Sequence, residues 1–592
     1  MKPSPPMGKR AKAINFIYRF GAAAILALLL AGTSLAQAPE PASGRATKHT
    51  VLAPRDMVVA ANPMAAEAGR DMLRRGGSAL DAAIATQLVL NLVEPQSSGI
   101  GGGAFLVYWS AAEGRVTTFD GRETAPAAAR PDRFLGADGK PLAFYDAVVG
   151  GRSVGVPGVL RMLELAHRRF GKLPWATLFA PAIALAEKGF ALSPRLHELL
   201  AHDRYLAQQA TAREYFYSPD GTPKPVGTLI RNPELATVLR AIAAQGSDAF
   251  YQGPIAHDIA AAVQTAKPQA GDLAESDLAG YTAKERLPVC GAYRAYRLCG
   301  MGPPSSGAVT LLELLGMLQR FDLAADRPPS IEALHLFAEA GRLAYADRSR
   351  YLADADFVPV PVKGLIDPAY LQARASLIDP ARAMAGPAAP GDPPGAHASD
   401  WGRDAAPELP GTSDLSIIDA AGNALAMTTT IENAFGSRLM VRGFLLNNEL
   451  TDFSFVPEED GKPVANRVEA HKRPRSAMAP TLVFDRNGKL LMVVGSAGGS
   501  AIINDVAKAL IAVLDWGYDV QAALDLPNSG NRNGATEIEA GPSAAAFAAA
   551  LKARGHRIEI SDRPSGLTAI VVTPKGLEGA ADSRREGAAL GD

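Results

Sequence analysis

The chain has 592 residues, of which 47% are apolar and 20% charged, a composition typical of a large globular protein rather than a disordered one. Its formal net charge of −1 and its aromatic content of 6% supply neither a basic surface nor a stacking platform. Nucleic acid is therefore excluded as an expected partner.

The N-terminus is predicted to be a targeting segment. Basic residues up to Arg19 precede an apolar run over 20–31, which is too short to be a good membrane span. Small residues at 34–36 offer a cleavage site. We expect a signal peptide over 1–36 and an exported protein, periplasmic or secreted, with no membrane attachment after cleavage. An uncleaved anchor is the alternative.

Helices and strands then alternate, which indicates a mixed α/β chain. Asn62 and Pro63 are typical of a helix N-cap and first turn, and Ser78 caps a second helix over 79–95. The predicted elements that follow are a strand over 104–109, helical patterns over 158–190, 194–213, 232–245 and 330–347, and strands within 287–301, 413–431, 480–496 and 566–573.

Cys290 and Cys299 lie in short extended segments that could pair. An oxidising compartment would permit a disulfide between them, and two free thiols are the alternative. Two thiols alone make a poor metal site.

The stretch 384–411 is dense in Pro, Gly and Ala and is predicted to be flexible, with little to bury. Alternating residues predict a strand that begins directly after it, at Thr412. A turn with glycine and a second strand over 424–431 complete a hairpin. Pairing symmetric about Ala421 places Thr412 opposite Thr430.

A threonine pair at a hairpin end is often only a cross-strand contact. The chemical interpretation is sharper, because a threonine hydroxyl needs a base and an N-terminal threonine carries one in its α-amino group. Cleavage between Gly411 and Thr412 would create the nucleophile and its base together. Glycine before this bond would tolerate the backbone geometry of the attack.

Several ordered motifs carry a resemblance to a known family. They are SALDAAIATQLVLNLVEPQSSGIGGGAF (78–105), FDGRETAP (119–126), GPPSSG (302–307), TSDLSIID (412–419), GFLLNNELTDFS (443–454), RPRSAMAPT (473–481), GSAGGS (495–500) and ADSRREGAALG (581–591). From about residue 55 onward the chain resembles the γ-glutamyltranspeptidases.

The resemblance implies an α+β fold, a four-layer αββα sandwich of the N-terminal-nucleophile hydrolase type, formed by two chains from one precursor. Residues 37–411 would be the large subunit, with the flexible segment 384–411 at its end, and 412–592 the small subunit. These two processed chains would form a heterodimer.

The resemblance also implies site roles. Thr412 matches the nucleophile, Thr430 its assisting threonine, and Gly498 and Gly499 the oxyanion hole. A strand, a glycine loop and a helix around these two glycines favour the same role. The matching substrate positions are Arg122 for the α-carboxylate, Ser476 beside it, and Glu449 and Asp452 for the α-ammonium.

Three departures from the family pattern concern substrate choice. Ala477 stands where the family has a second serine, so one carboxylate donor is lost. Glu432 stands where an asparagine is usual, which adds negative charge near the ammonium. The segment 455–472 is shorter than the lid loop of lidded relatives, so we expect a partial cover or none.

Other motifs fail on context. The glycines of SGIGGGAF follow a helix instead of a strand, which excludes a dinucleotide site. GSAGGS lacks the Lys of a P-loop. His197 and His202 are spaced i, i+5, which does not suit a shared metal. Ser153 matches a nucleophile elbow by its letters only, because the helix is predicted to start later.

The predicted function is that of a γ-glutamyltransferase and glutathione hydrolase that needs no metal or organic cofactor. Its partners would be glutathione and other γ-glutamyl compounds, with water, amino acids or peptides as acceptors. One alternative is a glutaryl- or cephalosporin-type acylase of the same fold. Another is a processed but inactive binding protein.

Overall fold

The computed structural model describes Met1 and residues 44–324, 330–406, 409 and 411–592. The described residues from Gly44 to Asp592 form one compact unit. The predicted signal peptide lies, apart from Met1, outside the described residues. None of the helices within the described ranges has the length and apolar character needed to cross a membrane.

Two seven-stranded sheets, antiparallel throughout, form the centre of this unit. In spatial order, the first sheet contains Val51–Ala53, Gly576–Ala581, Thr568–Thr573, Leu490–Gly495, Thr481–Phe484, Tyr296–Gly300 and Val289–Tyr293. The second sheet contains Ala588–Gly591, Met57–Ala60, Thr412–Ile418, Ala424–Thr430, Gly103–Ser110, Arg115–Gly121 and Lys284–Arg286.

Smaller sheets join the loops. They pair Phe190–Ala191 with Leu229–Ile230, Met440–Val441 with Phe444–Leu445, and Glu458–Glu459 with Lys462–Pro463, and they align Ser529–Asn531, Thr536–Glu539 and Ile558–Ser561.

The two large sheets pack face to face. Phe105 and Val107 of the second sheet share an apolar core with Leu482 and Val493 of the first. Leu106 lies between them in sequence and belongs to a separate core, because successive side chains of a strand point to opposite faces.

Helices pack on the outer faces of both sheets. Pro63–Arg74, Ala79–Val93 and Val159–Phe170 bury their apolar sides against the second sheet. Gly307–Leu318, Ile331–Tyr351 and Ile502–Leu514 do the same at the first. The remaining α-helices are Phe144–Val148, Ala180–Lys188, Pro194–His202, Ala210–Phe216, Pro233–Gln245, Asp248–Tyr251, Pro254–Gln264, Glu275–Gly280, Val362–Leu365, Pro368–Ala375, Val520–Asp525 and Ala544–Ala553.

The predicted mixed α/β class is confirmed, and so are the two N-terminal helix starts. The Asn62 side chain accepts from the Met64 amide, and Ser78 forms a capping box with Asp81. The pattern over 158–190 is not one helix, because the chain leaves the helical path at Gly171 and resumes with a 3₁₀ turn at Trp175–Phe179. Likewise, the helix predicted over 194–213 ends at His202.

The predicted hairpin is confirmed, including its register. Its first strand begins at Thr412, which pairs with Thr430. We call Thr412–Thr430 the Thr412 hairpin. Cys290 and Cys299 also face each other across two paired strands and form the disulfide that the sequence left open.

The segment 384–406, which we call the strap, is irregular apart from a 3₁₀ turn at Ala398–Asp400. Contrary to the expectation of few contacts, its backbone is tied to the body. Arg342 donates to the carbonyl oxygens of Met384 and Gly386, at 2.9 and 2.8 Å. Asn533 exchanges two hydrogen bonds with Ala388. Side chains of the body thus supply hydrogen bonds to backbone groups of the strap, which are not paired in a sheet.

Candidate active site

Thr412 lies at the start of Thr412–Ile418, a central strand of the second sheet. Its hydroxyl is 3.5 Å from that of Thr430, and both residues are almost fully buried. Two threonine hydroxyls therefore lie side by side in a largely buried site, where a threonine nucleophile would have a second hydroxyl beside it.

Thr430 is the residue that contacts the bond proposed for cleavage. Its hydroxyl donates a 2.7 Å hydrogen bond to the carbonyl oxygen of Gly411. The Glu432 amide donates in turn to the Thr430 oxygen at 2.8 Å. This chain of donors polarises the Gly411 carbonyl and favours negative charge on its oxygen.

Gly411 is required by close packing. A Cβ atom there would lie 2.0 Å from the carbonyl oxygen of Glu432 and 3.0 Å from the amide nitrogen of Ala434. Glycine therefore lets the chain before Thr412 approach the backbone beyond Thr430. The structure thus supplies a packing reason for this glycine, beyond the conformational freedom expected from the sequence.

Arg585 is a neighbour of Thr412 that the sequence did not single out. Its guanidinium donates to the Thr412 carbonyl oxygen at 2.8 Å, across 173 residues of chain. It lies within the C-terminal motif ADSRREG, which was noted only as part of the resemblance. This contact fixes the backbone of Thr412.

Gly498 and Gly499 form the glycine loop between strand Leu490–Gly495 and helix Ile502–Leu514. Both have positive φ, 142° and 58°, a region that L side chains rarely adopt. Gly499 lines the same cleft as Thr412. Amides at such a strand-to-helix turn suit a developing negative charge.

A small cleft brings most of the predicted site together. The residues that line it are Arg122, Leu409, Thr412, Thr430, Glu432, Glu449, Asp452, Ser476, Ala477, Met478, Gly499 and Ile502. Of the predicted site residues, Gly498 alone is absent from this lining, and it adjoins Gly499. Leu409 belongs to the chain just before Gly411.

Arg122 is paired with two of the predicted acidic residues. Its NH1 group donates to Glu449 and its NH2 group to Asp452, and all three residues are buried. Its Nε also donates to the Pro474 carbonyl oxygen at 3.1 Å. The residues predicted for the α-carboxylate and for the α-ammonium therefore form one cluster. This is the expected arrangement for buried charges, which must pair.

Two further carboxyl groups adjoin this cluster. Burial, followed by the charges of Asp452 and Glu449, raises the pKa of Glu432 well above its usual range. Burial and then Glu449 raise the pKa of Glu123 in the same way. Burial and like charge therefore both favour the neutral form of these two carboxyl groups. Glu123 was missed from the sequence, although it directly follows Arg122.

Burial opposes the charge of Arg122, but the carboxylates of Glu449 and Asp452 outweigh that effect and raise its pKa. Burial also raises the pKa of Glu449, although Arg122 acts in the opposite direction. The cluster therefore holds the four carboxyl groups of Glu123, Glu432, Glu449 and Asp452 around the single guanidinium of Arg122. Glu432 Oε1 is buried and has no hydrogen-bond partner among the described residues. An additional cation would offset the excess of carboxyl groups and would give Glu432 Oε1 a partner.

Ser476 and Ala477 line the same cleft as Gly499. The Ser476 carbonyl oxygen accepts hydrogen bonds from the amide and hydroxyl of Ser306, at 2.8 and 2.6 Å. Ser306 lies in the motif GPPSSG. That motif thus fixes the backbone that presents Ser476.

The loop 455–472 contains the small hairpin Glu458–Glu459 and Lys462–Pro463, which we call the 458–463 hairpin. Val464 forms a parallel bridge with Gly402 of the strap. The short loop is therefore braced by the strap, and it contributes no residue to the cleft lining described above.

The rejected motifs have structural roles. His197 contacts the carbonyl oxygen of Lys224, whereas His202 contacts that of Glu198. Ser153 lies in a 3₁₀ turn and donates to the Val148 carbonyl oxygen at 2.6 Å. In the glycine run, a Cβ at Gly102 would lie 2.0 Å from the carbonyl oxygen of Thr430.

Comparisons with known proteins show which family the chain resembles. Glutathione hydrolase proenzyme of Bacillus subtilis (strain 168) is 36% identical over 583 residues, which is 96% of this chain and 97% of that protein. The protein of the same name from Escherichia coli (strain K12) is 35% identical over 551 residues, 90% and 91% of the two chains.

Among solved structures, cephalosporin acylase from Bacillus halodurans superposes with a TM-score of 0.80 at 27% identity. The match covers 94% of this chain and 99% of that one. A sequence model of the gamma-glutamyltranspeptidase family matches residues 65–592. The chain therefore belongs to the γ-glutamyltranspeptidase family.

Proposed function

We propose that the protein is a γ-glutamyltransferase and glutathione hydrolase that acts on glutathione and other γ-glutamyl compounds. One observation carries the proposal: a single cleft is lined by the hydroxyl of Thr412 and by the Arg122 cluster. It thus combines an acyl-accepting nucleophile with groups that match an amino acid's charged end.

The first step of the proposed mechanism is self-cleavage. The Thr412 hydroxyl attacks the Gly411 carbonyl carbon, and the peptide nitrogen leaves as the free amine of Thr412. Water then hydrolyses the resulting ester, which leaves a carboxylate on Gly411 and frees the hydroxyl. The hydrogen bond from Thr430 to the Gly411 oxygen supports this step.

Cleavage would give a large chain, 37–411, and a small chain, 412–592. Both contribute strands to the second sheet, since Met57–Ala60 and Thr412–Ile418 pair directly. We propose that these two chains form the four-layer sandwich of an N-terminal-nucleophile hydrolase. They would stay together because their strands share sheets and cores.

Turnover would use the same hydroxyl. The Thr412 amine accepts its proton as the oxygen attacks the γ-carbonyl carbon, and the amides of Gly498 and Gly499 stabilise the oxyanion. The leaving amine takes the proton. Water or an acceptor amine of an amino acid or peptide then attacks the γ-glutamyl ester and releases Thr412. No step requires a metal or an organic cofactor.

The Arg122 cluster would bind the substrate's charged end. Arg122 and Ser476 are proposed to bind the α-carboxylate, and Glu432, Glu449 and Asp452 the α-ammonium. The four carboxyl groups around one guanidinium and the unpartnered Glu432 Oε1 support the second part. An ammonium would relieve the repulsion among the buried carboxyl groups.

An acylase that removes a glutaryl-type side chain is the second candidate, and the structural similarity to cephalosporin acylase favours it. A glutaryl group lacks the α-ammonium, so it would leave the acidic groups without a cation. The test compares kcat/KM for γ-glutamyl and glutaryl anilides on the purified protein. Equal or better turnover of the glutaryl compound would replace our proposal with the acylase.

We also propose that the protein is exported, to the periplasm or beyond the cell, after removal of residues 1–36. The basic and apolar pattern of the N-terminus motivates this location, and the disulfide between Cys290 and Cys299 suits an oxidising compartment. N-terminal sequencing of the large chain purified from a periplasmic fraction tests both the location and the cleavage point.

A further inference from the structure

Asp404 lies in the strap, seven residues before Gly411, and is buried. Its Oδ2 atom accepts a 2.8 Å hydrogen bond from the Asn466 side chain and lies 3.0 Å from the NH2 group of Arg475. Its own amide donates to the Ser349 carbonyl oxygen at 2.9 Å. The carboxylate therefore joins the strap to two side chains of the predicted small chain.

Those two side chains support residues that line the cleft. The Asn466 amide group also donates to the Asp452 carbonyl oxygen at 2.7 Å. The Arg475 carbonyl oxygen accepts from Arg122 NH2 at 2.9 Å, and the Arg475 amide donates to Asn466 Oδ1 at 2.9 Å. The carboxylate of Asp404, which does not line the cleft, is thus connected through Asn466 and Arg475 to both Arg122 and Asp452.

The strap is held in place beside Asp404. The Gly402 amide donates to the Pro463 carbonyl oxygen at 2.8 Å, and the Arg403 amide donates to Glu459. These contacts align the strap with the 458–463 hairpin. The backbone next to Asp404 is therefore fixed, and this holds the carboxylate of Asp404 beside Asn466 and Arg475.

We propose that Asp404 is a positioning residue for substrate recognition, which acts through Asn466 and Arg475 to hold Arg122 and Asp452 at the spacing that matches the charged end of a γ-glutamyl group. This inference rests on the proposed function. It also gives the strap a role after cleavage, because Asp404 stays on the large chain while Asn466 and Arg475 lie on the small one.

The steady-state test uses Asp404→Asn, which keeps the side-chain volume and one acceptor but removes the charge that faces Arg475. With a γ-glutamyl anilide and fully cleaved protein, we expect KM to rise about five- to tenfold, the scale of one lost hydrogen bond, while kcat stays within about twofold. Asp404→Glu, which restores the charge, is expected to recover part of the KM.

A second variant guards against misfolding of the first. A Cβ at Gly402 would lie 2.9 Å from the Lys462 carbonyl oxygen, so Gly402→Ala displaces the strap slightly without changing any charge. We expect a smaller rise in KM with this variant. The control is Tyr351→Phe, which removes a 2.5 Å hydrogen bond to the Gly391 carbonyl oxygen elsewhere in the strap and should leave KM unchanged.

A readout independent of turnover separates this inference from the proposed function. In the cleaved wild-type protein, carboxypeptidase digestion of the large chain should halt before Asp404 is removed, whereas in Asp404→Asn it should continue past this position. If the wild type fails to act on γ-glutamyl compounds, the proposed function is wrong. The digestion still tests whether Asp404 holds the strap to Asn466 and Arg475.

Calorimetric titration with L-glutamate, a product of the proposed hydrolysis, gives the matching affinity. We expect weaker binding to Asp404→Asn by the same factor as the KM change. Unchanged KM and affinity in folded Asp404→Asn and Gly402→Ala would overturn the proposal. Equal losses in Tyr351→Phe would overturn it as well, since they would indicate a general effect of the strap on stability.

Discussion

The hydroxyl of Thr430 lies 2.7 Å from the carbonyl oxygen of Gly411 and donates a hydrogen bond to it, while the same hydroxyl lies 3.5 Å from that of Thr412. One side chain thus contacts both the carbonyl under proposed attack and the group that would attack it. In the proposed mechanism, Thr430 would therefore act in maturation as well as in turnover.

Replacing Thr430 by valine keeps the shape of the side chain and removes its hydroxyl. Because the Gly411 carbonyl then loses its donor, we expect self-cleavage to slow by about a hundredfold, as for loss of one oxyanion-hole donor. Gel analysis of the two chains over time measures the rate. The control, Thr429→Val, removes a hydroxyl whose acceptor is the Gly103 carbonyl oxygen, and should mature at the normal rate.

Replacing Thr412 by alanine removes the proposed nucleophile itself. We expect one uncut chain and no γ-glutamyl hydrolysis, whereas the wild type should give a small chain whose first residue is Thr412. Edman sequencing of that chain is the measurement. Any other N-terminal residue on the small chain would show that the nucleophile has been misassigned.

Local patterns predicted the Thr412 hairpin well. Alternation with a period of two fixes which side chains share a face, and the short turn fixes the register, so the pairing of Thr412 with Thr430 followed from about twenty residues. The caps at Asn62 and Ser78 followed from adjacent residues too. In each case the deciding interactions lie within one turn or one hairpin.

Contacts between distant parts of the chain were not predictable in this way. Arg585 reaches Thr412 across 173 residues, and Asp404 reaches Asn466 across 62. No periodicity encodes such pairs, because they arise only when sheets and loops assemble. The composition of the strap was misleading for the same reason, since its partners lie on other elements.

Arg122→Lys keeps the positive charge but loses the planar fork. The guanidinium donates to Glu449, Asp452 and two backbone carbonyl oxygens together, which a single ammonium cannot reproduce. We expect kcat/KM for a γ-glutamyl anilide to fall by at least about tenfold, mainly through KM. An exposed arginine, Arg130, changed to lysine serves as the control and should leave both constants unchanged.

The buried carboxyl group of Asp414 should make the folding stability of the protein depend on pH. Burial raises its pKa to about 7, although the hydroxyls of Thr428 and Thr568 donate to it and act in the opposite direction. Its unfolded pKa is near 3.9, so the folded state binds the proton more tightly. The resulting stability is complete below about pH 4 and is lost as the pH rises to about 7.

In Asp414→Asn, the carboxyl group is replaced by an amide that cannot ionise. The variant should avoid this loss of stability, which is on the order of 4 kcal/mol for a pKa of about 7 in the fold. In the uncut Thr412→Ala background, the unfolding temperature of the variant should therefore fall less than that of its parent between pH 4 and 7. Scanning calorimetry at several pH values measures the difference. Parallel curves for the two proteins would show that Asp414 is ionised in the fold.

Ala477→Ser tests the recognition of the substrate's carboxylate. Ala477 and Ser476 both line the cleft with Arg122, and the serine would add a second hydroxyl donor beside the first. We expect KM for a γ-glutamyl anilide to fall several-fold, equivalent to about 1 kcal/mol, with little change in kcat. Ser476→Ala is the opposite change and should raise KM.

We expect neither variant to alter the relative activity toward γ-glutamyl and glutaryl anilides, because both substrates carry the carboxylate and differ only in the ammonium. A shift in that ratio would mean that position 477 contacts the ammonium side of the cleft instead.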